Sequence, residues 1–256
     1  MNNGLIIYVA NQVLNAIKEK NRITCTIFTN QIFQSHKKLT DHLEIKITAD
    51  NSYTLLNKNI DEHYHSHHGA LQESLYVFIH QGLNKTNTTN IKVFEMGFGT
   101  GLNALLTALH AAPKKVTYDC VETHALPQQI VEQLMHTDSL KNNKELFLQL
   151  HTCSWNNSHK LSETVEFCKY MQNIQDITLN NNYYDLMYYD AFSPRKQPEL
   201  WGNSCLSKCY NALKKDGIFV TYCAKSSVRK ELQAVGFTVE KLPGPPGKRE
   251  MLRAIK

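Results

Sequence analysis

The sequence has no Cys-x-x-Cys pair, and its seven cysteines are odd in number and scattered. Such a set builds neither a disulfide framework nor a structural zinc site, and it suits reduced thiols in a cytoplasm. No stretch approaches the roughly 20 uninterrupted apolar residues of a membrane span. The mildly apolar segment from Leu5 to Ile17 lacks a basic lead-in and is broken by Asn11, Gln12 and Asn15, which makes it a poor signal peptide. Internal repeats, heptads and collagen-like periods are absent, as is any Gly-x-Gly-x-x-Gly, the nicotinamide or flavin fingerprint. What is present is a chain of 256 residues, 42% hydrophobic and 20% charged, enough for one sizeable core. Its net charge of +5 is uneven. Residues 190–256 hold 13 Lys+Arg against 6 Asp+Glu, whereas residues 1–189 hold 15 against 17. A basic final quarter therefore follows a nearly neutral body, and the expectation is a cytoplasmic, membrane-free protein acting as a monomer.

The pattern along the chain divides it into an N-terminal extension (1–40), a segment covering the ligand site (41–90) and a doubly wound domain (91–256). Within the extension, weak signals suggest a helix around Val9 to Lys20 and a β-rich stretch from Ile23 to Phe28. Leu43 to Thr48 and Tyr53 to Leu56 alternate apolar and polar residues around an Asp/Asn turn, which predicts a β-hairpin. The histidine-rich stretch Glu62-His-Tyr-His-Ser-His-His68 follows, then a helix over Gly69 to Gly82 with Leu71, Leu75, Phe78 and Ile79 on one face. From Ile91 onward strands and helices alternate. Strands are predicted at Ile91–Met96, Val116–Glu122, Leu146–Leu150, Tyr184–Tyr189, Gly217–Ala224, Phe237–Leu242 and Met251–Ile255. Helices are predicted at Leu102–Ala112, Pro127–His136, Leu206–Leu213 and Ser226–Val235, the last with a serine cap. Residues 155–182 read as an irregular insertion. This is the pattern of an α/β fold, a mostly parallel doubly wound Rossmann-like sheet.

Ligands of such a sheet bind at the carboxyl ends of its strands, near the point where strand order reverses. Glu95-Met-Gly-Phe-Gly-Thr-Gly101 is placed there, directly after the first strand of the domain. Its glycines let the backbone turn sharply and approach a ligand. Glu122 ends the next strand, where a carboxylate accepts hydrogen bonds from ribose hydroxyls. Glu95 itself would repel a pyrophosphate and attract the ammonium of S-adenosylmethionine. Gly97, Phe98, Gly99, Thr100 and Gly101, with Glu95 and Glu122, are the candidate cofactor residues, and a methyltransferase is the expected class. A ligand-free tight turn and a nicotinamide site are the alternatives.

Tyr188-Tyr-Asp-Ala-Phe-Ser-Pro194 ends the fourth strand over the same crevice. An Asp followed by aromatic residues and proline suits an N-methyltransferase, because the carboxylate orients an amine while aromatic faces favour the sulfonium and ammonium. Asp190 is the candidate proton acceptor and a cofactor neighbour, although it could instead, or in addition, cap the following turn. The cluster His63, His65, His67 and His68 lacks the accompanying carboxylates or thiols of a metal site and is expected to be a loop over the cofactor. Cys205 and Cys209 are expected to be a reduced, partly buried pair. Tyr183, Tyr184, Tyr188 and Tyr189 are expected to form core and pocket wall. Basic pairs at Arg195-Lys196, Lys214-Lys215, Arg229-Lys230 and Lys248-Arg249 could each be a solvated face; the first and last fall in loops at the crevice mouth, where phosphates would pass.

These segments together resemble one family, the methyltransferase domain of the tRNA-modifying MnmC proteins, which also occurs alone as MnmD. The resemblance is carried by Glu62-His-Tyr-His-Ser66, Gly69-Ala-Leu-Gln-Glu-Ser74, Val77-Phe-Ile-His-Gln-Gly-Leu83, Phe94-Glu-Met-Gly-Phe-Gly-Thr-Gly-Leu-Asn103 and Val121-Glu122. It continues through Tyr189-Asp-Ala-Phe-Ser-Pro-Arg-Lys-Gln-Pro-Glu-Leu-Trp201 and Gly244-Pro-Pro-Gly-Lys-Arg-Glu-Met251, in order from about Leu43 to Lys256. It implies methyl transfer from S-adenosylmethionine to the exocyclic amine of 5-aminomethyl(-2-thio)uridine at the tRNA wobble position, with the anticodon stem-loop as partner. By position, Tyr64 and Ser66 would line the cofactor, Asp190 and Phe192 would hold the substrate amine, and Arg195, Lys196, Trp201, Lys248 and Arg249 would lie near the RNA. Where many methyltransferases offer a carboxylate to the adenine after the third strand, this chain has Cys153-Ser-Trp155, so backbone amides and Trp155 are expected to hold the ring. The oxidoreductase half of the bifunctional relatives, its FAD and any metal are expected to be absent. The alternative within the same fold is a small-molecule amine N-methyltransferase or an aminopropyltransferase, which the basic terminal segment disfavours. A non-catalytic RNA-binding module is disfavoured by intact Glu95, Glu122 and Asp190.

Overall fold

The computed structural model describes residues 42–135 and 142–256. The helix and β-rich stretch expected before residue 40 lie outside the described residues. Three short strands, β1 (Leu43–Ile47), β2 (Tyr53–Asn57) and β3 (Glu62–His63), form an antiparallel sheet of their own. The β1–β2 hairpin forms as expected, with Ile47 facing Tyr53 across the turn, although Thr54 and Leu55 are both buried and Ile47 is exposed. Asn51 takes a positive φ of 61° there, a conformation asparagine tolerates better than most residues. Helix α1 (Ala70–Ser74) continues into a wider π-helical turn over Leu75–His80. The single helix expected to Gly82 is thus wound in two ways, still burying Val77, Phe78 and Ile79.

The main sheet has eight strands. They are β4 (Asn90–Met96), β5 (Lys115–Glu122), β6 (Ser158–Lys160), β7 (Val165–Met171), β8 (Tyr184–Tyr189), β9 (Leu213–Thr221), β10 (Thr238–Pro243) and β11 (Glu250–Ile255). Their order is β10-β11-β9-β8-β4-β5-β7-β6. The central run from β9 to β7 is parallel, and β6, β10 and β11 are antiparallel. Helices α2 (Leu102–His110), α3 (Gln128–Met135) and α4 (Lys144–Thr152) precede β8, and α5 (Asn203–Ala212) and α6 (Ser226–Ala234) follow it.

Alternate residues of a strand face opposite sides of a sheet. Val93, Tyr118, Leu186, Tyr188 and Val220 accordingly join one core with Phe78, Leu105, Ile130 and Phe147. Phe94, Val121, Met187, Tyr189 and Phe219 join the other with Leu206, Cys209, Val228 and Leu232. Strand order reverses between β4 and β8, where Met96 pairs with Tyr189. The crevice expected of a doubly wound sheet therefore opens between residues 97 and 190.

Three local expectations are corrected. Leu146–Leu150 is not the third strand but part of α4. Leu146 and Phe147 stand four and three residues before Leu150, and Phe147 and Leu150 are buried on one helical face. The third parallel strand is β7, inside the stretch read as irregular; a buried lysine, Lys169, interrupts its apolar pattern. The N-cap of α6 is Lys225 rather than a serine, with no side-chain capping bond.

Candidate active site

The turn from β4 to α2 holds the centre of the site. Gly97, Gly99 and Gly101 all have positive φ, at 91°, 51° and 74°. A Cβ at Gly97 would fall 2.8 Å from the Asp190 carbonyl oxygen, so this glycine is what lets the loop lie against the end of β8. Asp190 seals that contact by donating its backbone N–H to Met96 O at 3.0 Å.

Two carboxylates meet beneath the loop. Glu95 is fully buried in β4, and Asp190 is half-buried at the crevice floor, enclosed by protein but still touching solvent. One amide joins them: Asn103 Nδ2 donates to Glu95 Oε1 at 2.9 Å and to Asp190 Oδ2 at 2.8 Å. Glu95 Oε2, Asn103 Oδ1 and the Tyr118 hydroxyl beside Glu95 are all buried without a hydrogen-bond partner. Burial pushes the Glu95 carboxyl well above the usual carboxylate range, and the neighbouring Asp190 charge adds to this, against the Asn103 bond. Burial and the nearby Glu73 charge raise Asp190 to about 7, while Asn103 and Lys248 pull the other way.

Glu122, at the end of β5, accepts from Gly99 N at 2.9 Å on Oε2 and from Thr123 N and His124 N at 2.8 and 3.0 Å on Oε1. It fixes the glycine loop and keeps one lone pair of Oε2 free toward a ligand. Tyr64 covers the loop from the β3 side, its ring 3.1 Å from where a Gly99 Cβ would stand. The same ring meets Phe192 edge to face at 5.0 Å, which joins the aromatic of the Asp190 motif to the cover over the glycine loop. Glu62 holds that arrangement, taking bonds from the Ser193 N–H and hydroxyl, both at 2.9 Å.

Other predicted residues are placed differently. The Phe98 ring is buried among His151, Phe167 and Trp155. The Thr100 hydroxyl is engaged at 2.7 Å by His65 Nε2, so these two loop residues present backbone rather than side chain to the crevice. Ser66 donates its N–H to Glu73 Oε2 at 2.7 Å, and its hydroxyl accepts from His68 N at 3.2 Å. Trp155 follows α4, not the third strand, and carries Lys169 Nζ 4.6 Å above its ring. The residues that do follow the third strand are Gln172 and Asn173, because Met171 pairs with Glu122 at the crevice end.

Arg195, Lys196 and Arg249 are exposed, as RNA contacts require. Trp201 is not: it is 3% exposed, packed on Tyr189, and donates Nε1–H to Phe192 O at 2.8 Å. Its expected place near RNA is corrected to one supporting Phe192 from within. Lys248 is also corrected, since its ammonium turns inward to an ion pair with Glu73. Sequence reasoning missed Asn103, Glu73 and Glu62 as site residues, although each falls in a segment that carried the family resemblance. The histidine cluster gives no group of metal-ligating side chains among the described residues. His65, within it, is buried and pulled down to about 4 by desolvation, so it is neutral at physiological pH.

A family model described as S-adenosyl-L-methionine-dependent methyltransferase matches residues 128–256, half of the chain. The chain belongs to that family. The methyltransferase is 31% identical over 231 residues to the tRNA 5-methylaminomethyl-2-thiouridine biosynthesis bifunctional protein MnmC of Actinobacillus pleuropneumoniae serotype 5b, covering 80% of this chain and 34% of that protein. It spans about a third of the length of the curated relatives it matches. Among solved structures it is similar to MnmC2 from Aquifex aeolicus, with a TM-score of 0.66 and 25% identity over 93% of this chain and 83% of that one. Spermidine synthase from Thermotoga maritima shares the fold alone, at a TM-score of 0.50 and 14% identity over 83% of this chain and 68% of that one. Together these place the methyltransferase among the MnmC-like domains.

Proposed function

We propose that this methyltransferase carries the methyl group of S-adenosylmethionine to the exocyclic amine of 5-aminomethyl(-2-thio)uridine at the wobble position of tRNA. The observation that carries the reading is the pair of carboxylates at the switch point, one buried with an orphaned oxygen and one open to the crevice, joined by Asn103. The two orphaned acceptors, Glu95 Oε2 and Asn103 Oδ1, fit the α-ammonium of the cofactor, which would supply the hydrogen bonds that buried acceptors require. The glycine turn supplies a cradle without Cβ atoms, and the free lone pair of Glu122 suits a ribose hydroxyl. Met171, 40% exposed at the end of β7, and the polar pair Gln172-Asn173 are suited to the adenine.

When bound, S-adenosylmethionine supplies an electrophilic methyl group on a sulfonium. The chain's own residues have to orient an amine and remove a proton from it. An aliphatic ammonium has no lone pair to attack with, so one proton must leave first. Asp190 stands at about 7, half ionised at neutral pH and matched to this task. Its ionised oxygens accept the N–H hydrogens of the amine, take one proton, and later release it to the solvent that reaches its exposed edge. Tyr64 and Phe192 offer aromatic ring faces to the cationic groups.

A wobble base has to leave the anticodon stack to reach this depth. Arg195 and Lys196, directly after the Asp190 motif, and Arg249 supply positive charge for the flanking phosphates. The test is incubation with radiolabelled S-adenosylmethionine and tRNA from cells lacking this methylation, followed by nucleoside analysis. Label in 5-methylaminomethyl(-2-thio)uridine is expected. Label entering free amines or polyamines, with tRNA unlabelled, would replace this reading with the small-molecule one.

A further inference from the structure

The turn joining β10 to β11 is tied into the site. Gly247, at φ +81°, lies against the His68 ring with no room for a side chain, which fastens the turn to the histidine-rich loop. Gly244 N donates to Arg249 O at 3.1 Å and Lys248 N to Pro245 O at 2.9 Å, which closes the turn on itself. Lys248 is thereby aimed at the crevice. Its ammonium binds Glu73 and lies 4.0 Å above the Tyr222 ring. Both partners are themselves held. Glu73, 4% exposed, accepts from Ser66 N, and Tyr222 donates its hydroxyl to Ala191 O at 2.8 Å, one residue beyond Asp190. Glu73 is buried and Lys248 half-buried, so the pair costs desolvation and is a poor device for stability alone.

We propose that Lys248 is a positioning residue for methyl transfer: anchored by Glu73 and the face of Tyr222, whose hydroxyl holds the backbone next to Asp190, its ammonium sets the charge around the proton acceptor. The inference rests on Asp190 being the proton acceptor. The groups that act on Asp190 are Glu73 from α1, Asn103 from α2 and Lys248 from the turn, and the Asp190 charge in turn acts on Glu95 from β4 and Tyr222 after β9. His65 lies beside Glu73 and Lys248 but is neutral at pH 7. Lys248 is thus the one positive charge among these groups, set against several carboxylates. Its effect on Asp190 is downward, and that of Glu73 is upward. Removing each partner should therefore move Asp190 in opposite directions, which loss of packing would not do.

The experiment titrates the full chain labelled with ¹³Cγ-aspartate, assigning Asp190 by the signal missing from Asp190→Asn. The wild-type midpoint is expected at about 7. Lys248→Met should raise it, Glu73→Gln should lower it, and Lys248→Arg should restore it. The acidic limb of the rate of methyl transfer to tRNA from cells lacking the modification should follow the same order. If Lys248→Met fails to fold, Glu73→Gln carries the test alone, and a midpoint at or above the wild-type value overturns the inference. Midpoints that stay together, or move the same way in both variants, also overturn it, and an inactive Asp190→Asn would then leave the proton-acceptor reading standing. Full turnover by Asp190→Asn would instead overturn that reading, and the role of Lys248 in transfer with it.

Discussion

Replacing Asn103 with alanine removes the amide that both carboxylates share. In the wild type its Nδ2 donates at 2.9 Å to Glu95 and at 2.8 Å to Asp190, in a site where Asn103 is 2% exposed. Each bond from a neutral donor to an ionised acceptor contributes about 1.5–3 kcal/mol. Loss of the Asp190 bond removes one of the groups that holds its carboxyl down, so its pKa rises further from about 7. At about 2 kcal/mol, and 1.36 kcal/mol per pH unit, the rise is roughly 1.5 pH units. The ionised fraction at neutral pH then falls about tenfold, and alkaline conditions recover it. The assay is single-turnover methyl transfer across the pH range at saturating cofactor. The acidic limb should move upward with the alkaline plateau largely kept. A uniform drop at every pH with an unmoved limb would refute the reasoning, because it would mean that Asn103 serves the fold and not the charge state of Asp190.

Other outcomes follow from the same geometry. Glu95→Gln should weaken S-adenosylhomocysteine binding about tenfold or more, since an ion–ion contact becomes a neutral one. Calorimetry of the wild type in buffers of different ionisation enthalpy should also show proton release, because burial pushes the Glu95 carboxyl up and an arriving ammonium pulls it back down. Trp201→Phe should lower stability by about 1–2 kcal/mol, through the lost bond to Phe192 O and a small void, in denaturant unfolding. It should leave tRNA affinity at fixed salt nearly unchanged, whereas loss of a direct stacking contact to RNA would lower that affinity by about 1–3 kcal/mol. Changing Arg195, Lys196 and Arg249 together to alanine should flatten the plot of log affinity against log salt by about 2–3, the slope expected for three phosphate contacts.

The parts of the site that the sequence makes legible are those built within one continuous segment. Glu95 to Gly101 can be recognised because strand, glycine turn and helix start follow one another, and Asp190 because it ends an apolar strand before a proline motif. The glycines have the backbone conformations that such a turn demands. What stays hidden is pairwise and distant. Asn103 meets Asp190 across 87 positions, and Lys248 meets Glu73 across 175. No periodicity reveals such partners, so Lys248 reads as a surface cation and Trp201 as an exposed aromatic until the fold turns both inward. The third strand is obscured for a different reason. A short apolar run such as Leu146–Leu150 suits a helix or a strand equally, while β7 disguises itself by burying Lys169, whose ammonium bonds Leu150 O and His151 O at the end of α4.

The central claim is that Asp190 takes the proton from a tRNA-borne amine at this crevice. It is tested most directly by single-turnover transfer of labelled methyl from S-adenosylmethionine to tRNA lacking the modification, comparing wild type with Asp190→Asn. The wild type should place label in 5-methylaminomethyl(-2-thio)uridine. Asp190→Asn should bind cofactor with near wild-type affinity and transfer the methyl group at least about a hundredfold more slowly, the range of general-base catalysis. Transfer by Asp190→Asn at the wild-type rate, or no label in tRNA from the wild type, would contradict the account.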